Sequence, residues 1–248
     1  AARVLHEHAL GNAQLLDGAP VELHVADGRD LPFATGEMDA VVSLQVLEYI
    51  DDIAQALAEI ARVTRAGGRF VNVATTWGAL YWSGGDAGLT RTVVEAWGQH
   101  CPYPDLPVDL PLLLRQHDFE GVIQRPVTIV NRRFHPNSFS WGAARLMAAF
   151  AESIGAIDAE AGRAWITSLQ AADEAGSHFL SSVPILTIAT DLIAERCELA
   201  AEHSADRVVD DVARAVDDVL AAIFRSQYDV IAVDGRQPRG AACRVSTP

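Results

Sequence analysis

The sequence predicts an α/β fold: a mostly parallel, twisted sheet with flanking helices, a helical lid and a C-terminal helical extension. Three observations carry this expectation. Residues 21–25 (VELHV) alternate apolar and polar side chains, as a strand with two unlike faces does. Residues 39–44 (DAVVSL) form a short continuous apolar run, rich in β-branched side chains. Such a run is expected of a parallel strand buried on both faces, at the centre of a sheet. Ile53, Leu57, Ile60 and Thr64 then recur at helical spacing before a third strand at 70–74.

Taken in order, residues 3–16 read as a helix stopped by Asp17-Gly18. The strand at 21–25 stops at Asp27-Gly28, and Gly67-Gly68 is expected to end the helix that begins near Ile53. Parallel strands joined through helices align their carboxyl ends along one edge, where such sheets bind ligands. Asp27, Ser43 and Thr75 are expected to share that edge. Residues 76–111 loosen into WGALYWSGGDAGL, a helix around 90–97 and the turn-rich CPYPDLPVDLP, which suits a lid or pocket. A short helix at 112–117, a strand at 122–130, two amphipathic helices at 140–153 and 159–173, and a last strand at 179–189 follow. Beyond Asp191 the chain becomes charged and helical, with Val209, Val212, Val216, Val219 and Ile223 as an apolar stripe. That stripe fits a homodimer helix or an intramolecular brace. The expected organisation is an α/β domain over 1–191, with lid or insert regions at 76–111 and 134–176. An extension over 192–248 follows, helical with a possible strand.

The chain has 248 residues, half of them hydrophobic, enough to bury a sizeable core. Its formal charge of -14 and pI near 4.8 oppose a nucleic-acid partner, because phosphate backbones need clustered basic residues. Cys101, Cys197 and Cys243 lie far apart without a CxxC pair, which points to a reducing cytoplasm and away from zinc or a disulfide framework. No apolar run reaches the roughly 18 residues of a membrane span, and the opening lacks a signal-peptide pattern. His6 and His8 alternate across a helix and make a poor metal pair. Neither GxSxG nor GxxxxGK[ST] occurs, so hydrolase and nucleotide-triphosphatase readings lack support.

The segments VELHVADGRDLPF, EMDAVVSLQVLEYIDD and ALAEIARVTRAGGRFVNV together resemble the class I S-adenosylmethionine-dependent methyltransferases, specifically the UbiE-like small-molecule group (methyltransferase type 11). In that group an acidic residue after the third strand precedes a Leu-Pro-Phe turn, as Asp27 precedes Leu31-Pro32-Phe33 here. The helix pair placed before the last strand is similar to the C-terminal half of the same group. The resemblance implies a Rossmann-like fold, S-adenosylmethionine as cofactor and a small-molecule substrate. It implies that Asp27 accepts the adenine amino group and that the Gly28 amide meets the neighbouring ring nitrogen. Ser43, Leu44 and Gln45 would lie beside the adenosyl and methionine portions. Asp27-Gly28 also reads as a plain turn, and Ser43 as a strand-to-helix cap. Arg62, Arg65, Gly67 and Gly68 match the group's RVLKPGG segment, with Ala66 in place of proline, and are assigned to structure.

Glu48-Tyr49 occupies the place where this group often carries His-His or Glu-His, close to the methyl-transfer centre; a solvated acid is the competing reading of Glu48. Trp77, Tyr81, Trp82 and Trp97 are candidates for the acceptor wall, because aromatics bind flat rings and cations. A packed lid would use the same residues. His100, His117 and His135 join Glu48 and Tyr49 as candidate proton-transfer groups.

The group's first strand with its glycine-rich loop, and the acidic residue after strand two, do not occur before Val21. Gly84-Gly85 with Gly88 lacks the strand-loop-helix context to replace them. Upstream residues are the expected source, with circular permutation through a strand at 228–233 as another route. The functional expectation is S-adenosylmethionine-dependent methyl transfer to a small molecule. The alternative is an inactive scaffold or dimerisation protein on the same fold.

Overall fold

The computed structural model describes residues 21–191 and 241–245. Expectations for 3–16, for the apolar stripe at 209–223 and for a strand at 228–233 fall outside them.

The alternating run at 21–25 forms β1 (Val21–Val25), which pairs antiparallel with β9 (Ala241–Val245) from the C-terminal extension. After the turn at Asp27, β2 (Met38–Leu44) leads through a short 3-10 turn (Leu47–Tyr49) into α1 (Ile53–Val63). Ile53, Ala56, Leu57, Ile60 and Val63 make its buried stripe, and Asp52 caps it by accepting from the Gln55 amide at 3.0 Å. β3 (Thr64–Thr75) follows directly and runs parallel to β2.

Gly67-Gly68 does not end α1, as the sequence suggested. The helix stops at Thr64, whose extended backbone and Oγ1–H bond to the Ile60 carbonyl (2.7 Å) close its last turn. The glycines instead form a bulge where the pairing jumps from Met38 opposite Thr64 to Ala40 opposite Arg69. Gly67 has φ 72°, and a Cβ on Gly68 would sit 2.6 Å from Thr64 Cγ2 and 3.0 Å from the Asp39 carbonyl oxygen. Only glycine fits there.

The lid begins with a 3-10 turn (Trp77–Ala79), β4 (Tyr81–Ser83) and α2 (Ala87–Trp97). α3 (Leu106–Gln116) starts six residues before the helix expected at 112–117. Its prolines hid it: Pro107 lies in the first turn, where no amide partner is needed, whereas Pro111 deprives the Pro107 carbonyl of its donor. Gln124 Nε2 supplies that bond instead, at 2.7 Å. The expected strand at 122–130 divides into β5 (Phe119–Pro126) and β6 (Ile129–Asn131). α4 (Phe139–Ser153) and α5 (Ala159–Glu174) match the predicted helix pair. The expected strand at 179–189 is two strands, β7 (Phe179–Ser182) and β8 (Pro184–Asp191), in different sheets.

The α/β class holds, with helices against the sheet, but strand direction differs from expectation. In the four-stranded sheet β2-β3-β8-β5 only the β2–β3 pairing is parallel; β8 runs antiparallel to both of its neighbours, so β2, β3 and β5 point one way and β8 the other. The cause is where the chain re-enters. Thr75, at the end of β3, lies opposite Pro184, at the start of β8, and the Thr76 amide bonds the Val183 carbonyl. Having left and returned at one edge, the chain must run back. β2 is likewise an edge strand among the described residues, not a central one, and Val42 is 51% exposed. β3 is the doubly buried strand: Phe70 and Ala74 pack with α1 and α3, while Val71 and Val73 join Leu186 and Ile188 on the other face. A separate core gathers Trp82, Trp97, Met147, Trp165, Leu169 and Leu180 from the lid, α4, α5 and β7.

Replacing Gln124 by Ala leaves the Pro107 carbonyl without its donor and should cost about 1 kcal/mol in urea denaturation. In a Pro111→Ala background, residue 111 regains an amide for that carbonyl, so the same replacement should cost measurably less.

Candidate functional site

The carboxyl ends of β2 and β3 meet at one rim. Gln45, the first residue past β2, has φ 52°, a left-handed conformation that a residue with a side chain adopts at a cost of order 1 kcal/mol. Two bonds hold it there: its amide donates to the Val73 carbonyl (2.8 Å) and its Nε2 to Thr75 Oγ1 (3.0 Å). Ser43 stands opposite Asn72, and Asn72 opposite Thr187, so these side chains share the face under α1 and α3. All three are buried, and neither the Ser43 hydroxyl nor the Asn72 amide has a hydrogen-bond partner. Ser43 is therefore no helix cap; Asp52 performs that task. Asn72 was legible only as a polar break in an apolar strand and was not singled out by the sequence.

The Asp27 turn reaches this rim from β1. Asp30 N–H bonds the Asp27 carbonyl at 2.9 Å, closing the turn, and a Cβ on Gly28 would lie 2.8 Å from Ile50 Cδ1, directly after the Leu47–Tyr49 turn. The Asp27 carboxylate is engaged by Arg29: Oδ1 accepts from the Arg29 amide and Nε (both 3.0 Å), and Oδ2 from a terminal guanidinium nitrogen (2.8 Å). Both side chains are about 40% exposed, so this pair contributes little to stability and can exchange for another donor. The turn reading of Asp27-Gly28 and a ligand role for its carboxylate are thus compatible. The rim thus gathers an acceptor carboxylate next to a glycine, an unpartnered hydroxyl and a strained, clamped backbone.

Glu48 lies in the turn that follows. It is wholly buried, so it is not the solvated acid that one reading allowed, and its carboxyl has no hydrogen-bond partner. Its own carbonyl accepts from the Tyr103 amide at 3.2 Å. Desolvation pushes the carboxyl up to about 7, with only its own amide opposing. Burial, followed by the charge of Glu48, raises the neighbouring Tyr49 hydroxyl and Cys101 thiol as well, so both stay protonated.

The ring of Tyr49 meets His100 edge-on (5.5 Å), and His100 stacks on Trp97 at 3.9 Å with an 11° tilt. Trp77 crosses both, at 5.2 Å from His100 and 5.5 Å from Trp97. Trp77 is placed by its amide on the Pro104 carbonyl (3.0 Å) and by Gly78 N–H on Asp105 Oδ1 (2.8 Å). His100 Nδ1 donates to the Trp97 carbonyl (2.6 Å), and burial lowers its pKa to about 4, leaving a neutral ring.

The structure does not gather Trp77, Tyr81 and Trp82 into one wall. Trp77 belongs to the rim, Trp82 is core against Trp165, and Tyr81 is 57% exposed. Tyr81 and Trp82 line a separate cavity of about 290 Å³ with Leu80, Gly84, Thr90 and Arg91. His117 ends α3 near Phe119, which pairs with Asp191, at the end of the sheet away from Thr75. His135 is exposed and takes part in the turn before α4, its Nδ1 accepting from the Asn137 amide. Neither joins Glu48. His178, not singled out by the sequence, is buried against Trp82 and Phe134 with both ring nitrogens unpartnered.

A family model described as a methyltransferase domain matches residues 4–72, which include the Asp27 turn, β2 and Glu48. The chain is 39% identical over 59 residues to the ubiquinone/menaquinone biosynthesis C-methyltransferase UbiE of Desulfotalea psychrophila, covering 24% of each. It is 42% identical over 60 residues to an uncharacterised 37.1 kDa protein in transposon TN4556 of Streptomyces fradiae, covering 24% of this chain and 17% of that protein. The matches thus span a quarter or less of these relatives. Similar solved structures include the YcgJ protein of Bacillus subtilis (15% identity, 66% of this chain, 68% of that one, TM-score 0.39). Another is phosphoethanolamine N-methyltransferase 2 of Haemonchus contortus with S-adenosyl-L-methionine (12%, 67% and 36%, TM-score 0.35). Residues 4–72 are thus similar to a methyltransferase domain.

Because Glu48 binds its proton more tightly folded than unfolded, its contribution to stability is full below its ordinary 4.5 and is lost as pH rises through about 7. Glu48→Gln removes this dependence. Wild type should lose about 3 kcal/mol relative to the variant across that window in denaturant titrations.

Proposed function

We propose that this chain transfers a methyl group from S-adenosylmethionine to a small-molecule acceptor. The observation that carries the reading is the rim itself: Gln45 held left-handed against Thr75, with the unpartnered Ser43 hydroxyl and the Asp27-Gly28 turn, in and just past the segment that is similar to a methyltransferase domain. Asp27 would accept the adenine amino group in exchange for Arg29, the Gly28 amide would meet the adjacent ring nitrogen, and Ser43, Leu44 and Gln45 would line the adenosyl and methionine portions. The bound cofactor supplies a methyl group made electrophilic by its sulfonium. The work left to the protein is to hold two reactants close, aligned and dry. Trp77, Trp97, His100 and Tyr49 offer a ring-bearing acceptor an apolar, polarisable wall beside that rim. The buried, unpaired Cys101 thiol suits a reducing cytoplasm.

Calorimetry with S-adenosylmethionine and S-adenosylhomocysteine should register binding of both. Asp27→Ala should weaken each by about 1.5–3 kcal/mol, the worth of a hydrogen bond to a charged group. Arg29→Ala, which frees the carboxylate, should leave affinity unchanged or tighten it. Absence of heat with either ligand would favour the non-catalytic scaffold.

A further inference from the structure

We propose that Glu48 takes the proton released by the acceptor, and that the acceptor is accordingly a neutral ring compound bearing an O–H or N–H, such as a phenol or an aromatic amine. This rests on the methyl-transfer reading and narrows it.

Several of the described carboxylates have plain structural tasks. Asp27, Asp39, Glu59 and Asp173 each pair with an arginine, and Asp52, Asp86 and Asp158 each cap a helix through a backbone amide. Glu48 is fully buried with neither oxygen bonded, a state that costs stability and that folds rarely keep without use for it. Its backbone is held from two sides. Tyr103 N–H bonds its carbonyl, and Ile50 N–H closes the turn on Leu47. The side chain therefore stands at a fixed place just beyond the end of β2.

The groups around it leave no rival base. Tyr49 and Cys101 are held protonated, and no arginine pairs with Glu48. Asp105 acts on Cys101 from the same loop and spends its Oδ1 on Gly78. His100 is the other candidate, but its Nδ1 is committed to Trp97 and burial makes it a feeble base. A buried carboxyl poised near neutrality, by contrast, is matched to accepting a proton at working pH. In the step, the acceptor O–H or N–H bond breaks and its proton passes to a Glu48 oxygen. The freed electron pair forms the bond to the methyl carbon as the bond from that carbon to sulfur breaks, its electrons staying on sulfur. Glu48 then gives the proton up to water that enters as the methylated product leaves.

The test uses the wild type, Glu48→Gln and Glu48→Asp. Isotope-edited infrared spectroscopy on chain carrying labelled glutamate should show a protonated carboxyl that titrates near neutral pH in wild type and vanishes in Glu48→Gln. With catechol and aniline as probes, wild-type kcat should rise through the same pH range. Glu48→Gln should lower kcat about 100-fold at unchanged KM and flatten the profile, and Glu48→Asp should restore part of the rise. An unaltered profile in Glu48→Gln, or no such infrared titration, would overturn the assignment. An intact infrared titration in a chain that binds neither S-adenosylmethionine nor S-adenosylhomocysteine would instead overturn the methyl-transfer reading, and the proton role with it.

Discussion

Everything at the rim depends on the double burial of β3. From Phe70 to Thr75 each side chain is buried, three against α1 and α3 and three toward the opposite face or the rim. A strand buried on both sides cannot slip register without moving its apolar set, so its end is fixed in space. That end serves three segments at once. Thr75 receives Gln45 Nε2, the amide of Thr76 meets Val183, and Val73 receives the Gln45 amide. The end of β2, the start of β8 and the lid thus converge on one short stretch of backbone.

That convergence explains why the polar groups of the rim are left bare. The Gln45 and Thr76 amides there are consumed in joining strands, and several of the described arginines are tied elsewhere. Arg62 and Arg65 tie the 31–39 loop to α1 and β3, and Arg133 ties the β6–α4 connection to Asp173. Glu48, Ser43 and Asn72 sit behind these ties, desolvated by the same packing that positions them. The low-dielectric setting that makes bare groups costly also strengthens any bond a ligand brings.

Local patterns were legible where local forces decide. The helix over α1 and the pair α4 and α5 follow from periodicity, because their buried stripes are continuous in sequence, and β1 follows from its apolar-polar alternation. The direction of β8 and the edge position of β2 were not legible, since they depend on where a chain of a hundred intervening residues returns. α3 was hidden because the remedy for Pro111 lies in another element, the amide of Gln124. For the candidate site, Asp27, Gly28, Ser43, Gln45 and Glu48 were named from the sequence, but their state was not. Whether Asp27 meets Arg29 or Glu48 meets nothing is a property of three-dimensional packing. The aromatic residues were read as a single wall because they are close in sequence; the turn at 77–79 sends Trp77 one way and Trp82 the other.

Gln45 shows how the rim exchanges stability for geometry. Glycine would adopt φ 52° without strain, and a chain shaped by stability alone would favour it. Glycine has no side-chain amide to reach Thr75, however, and without that bond the backbone after Leu44 would keep only the tie from its own amide to the Val73 carbonyl. The strain of one left-handed residue, of order 1 kcal/mol, is offset by roughly one hydrogen bond of similar size. The net effect on stability is close to zero, so the combination is explained by what it holds in place. The turn carrying Glu48 begins two residues later, and its position is inherited from this clamp. The rim keeps a strained residue, a bare hydroxyl and a bare carboxyl within six positions of one another, and bonds brought by the proposed cofactor and acceptor would offset what these features cost.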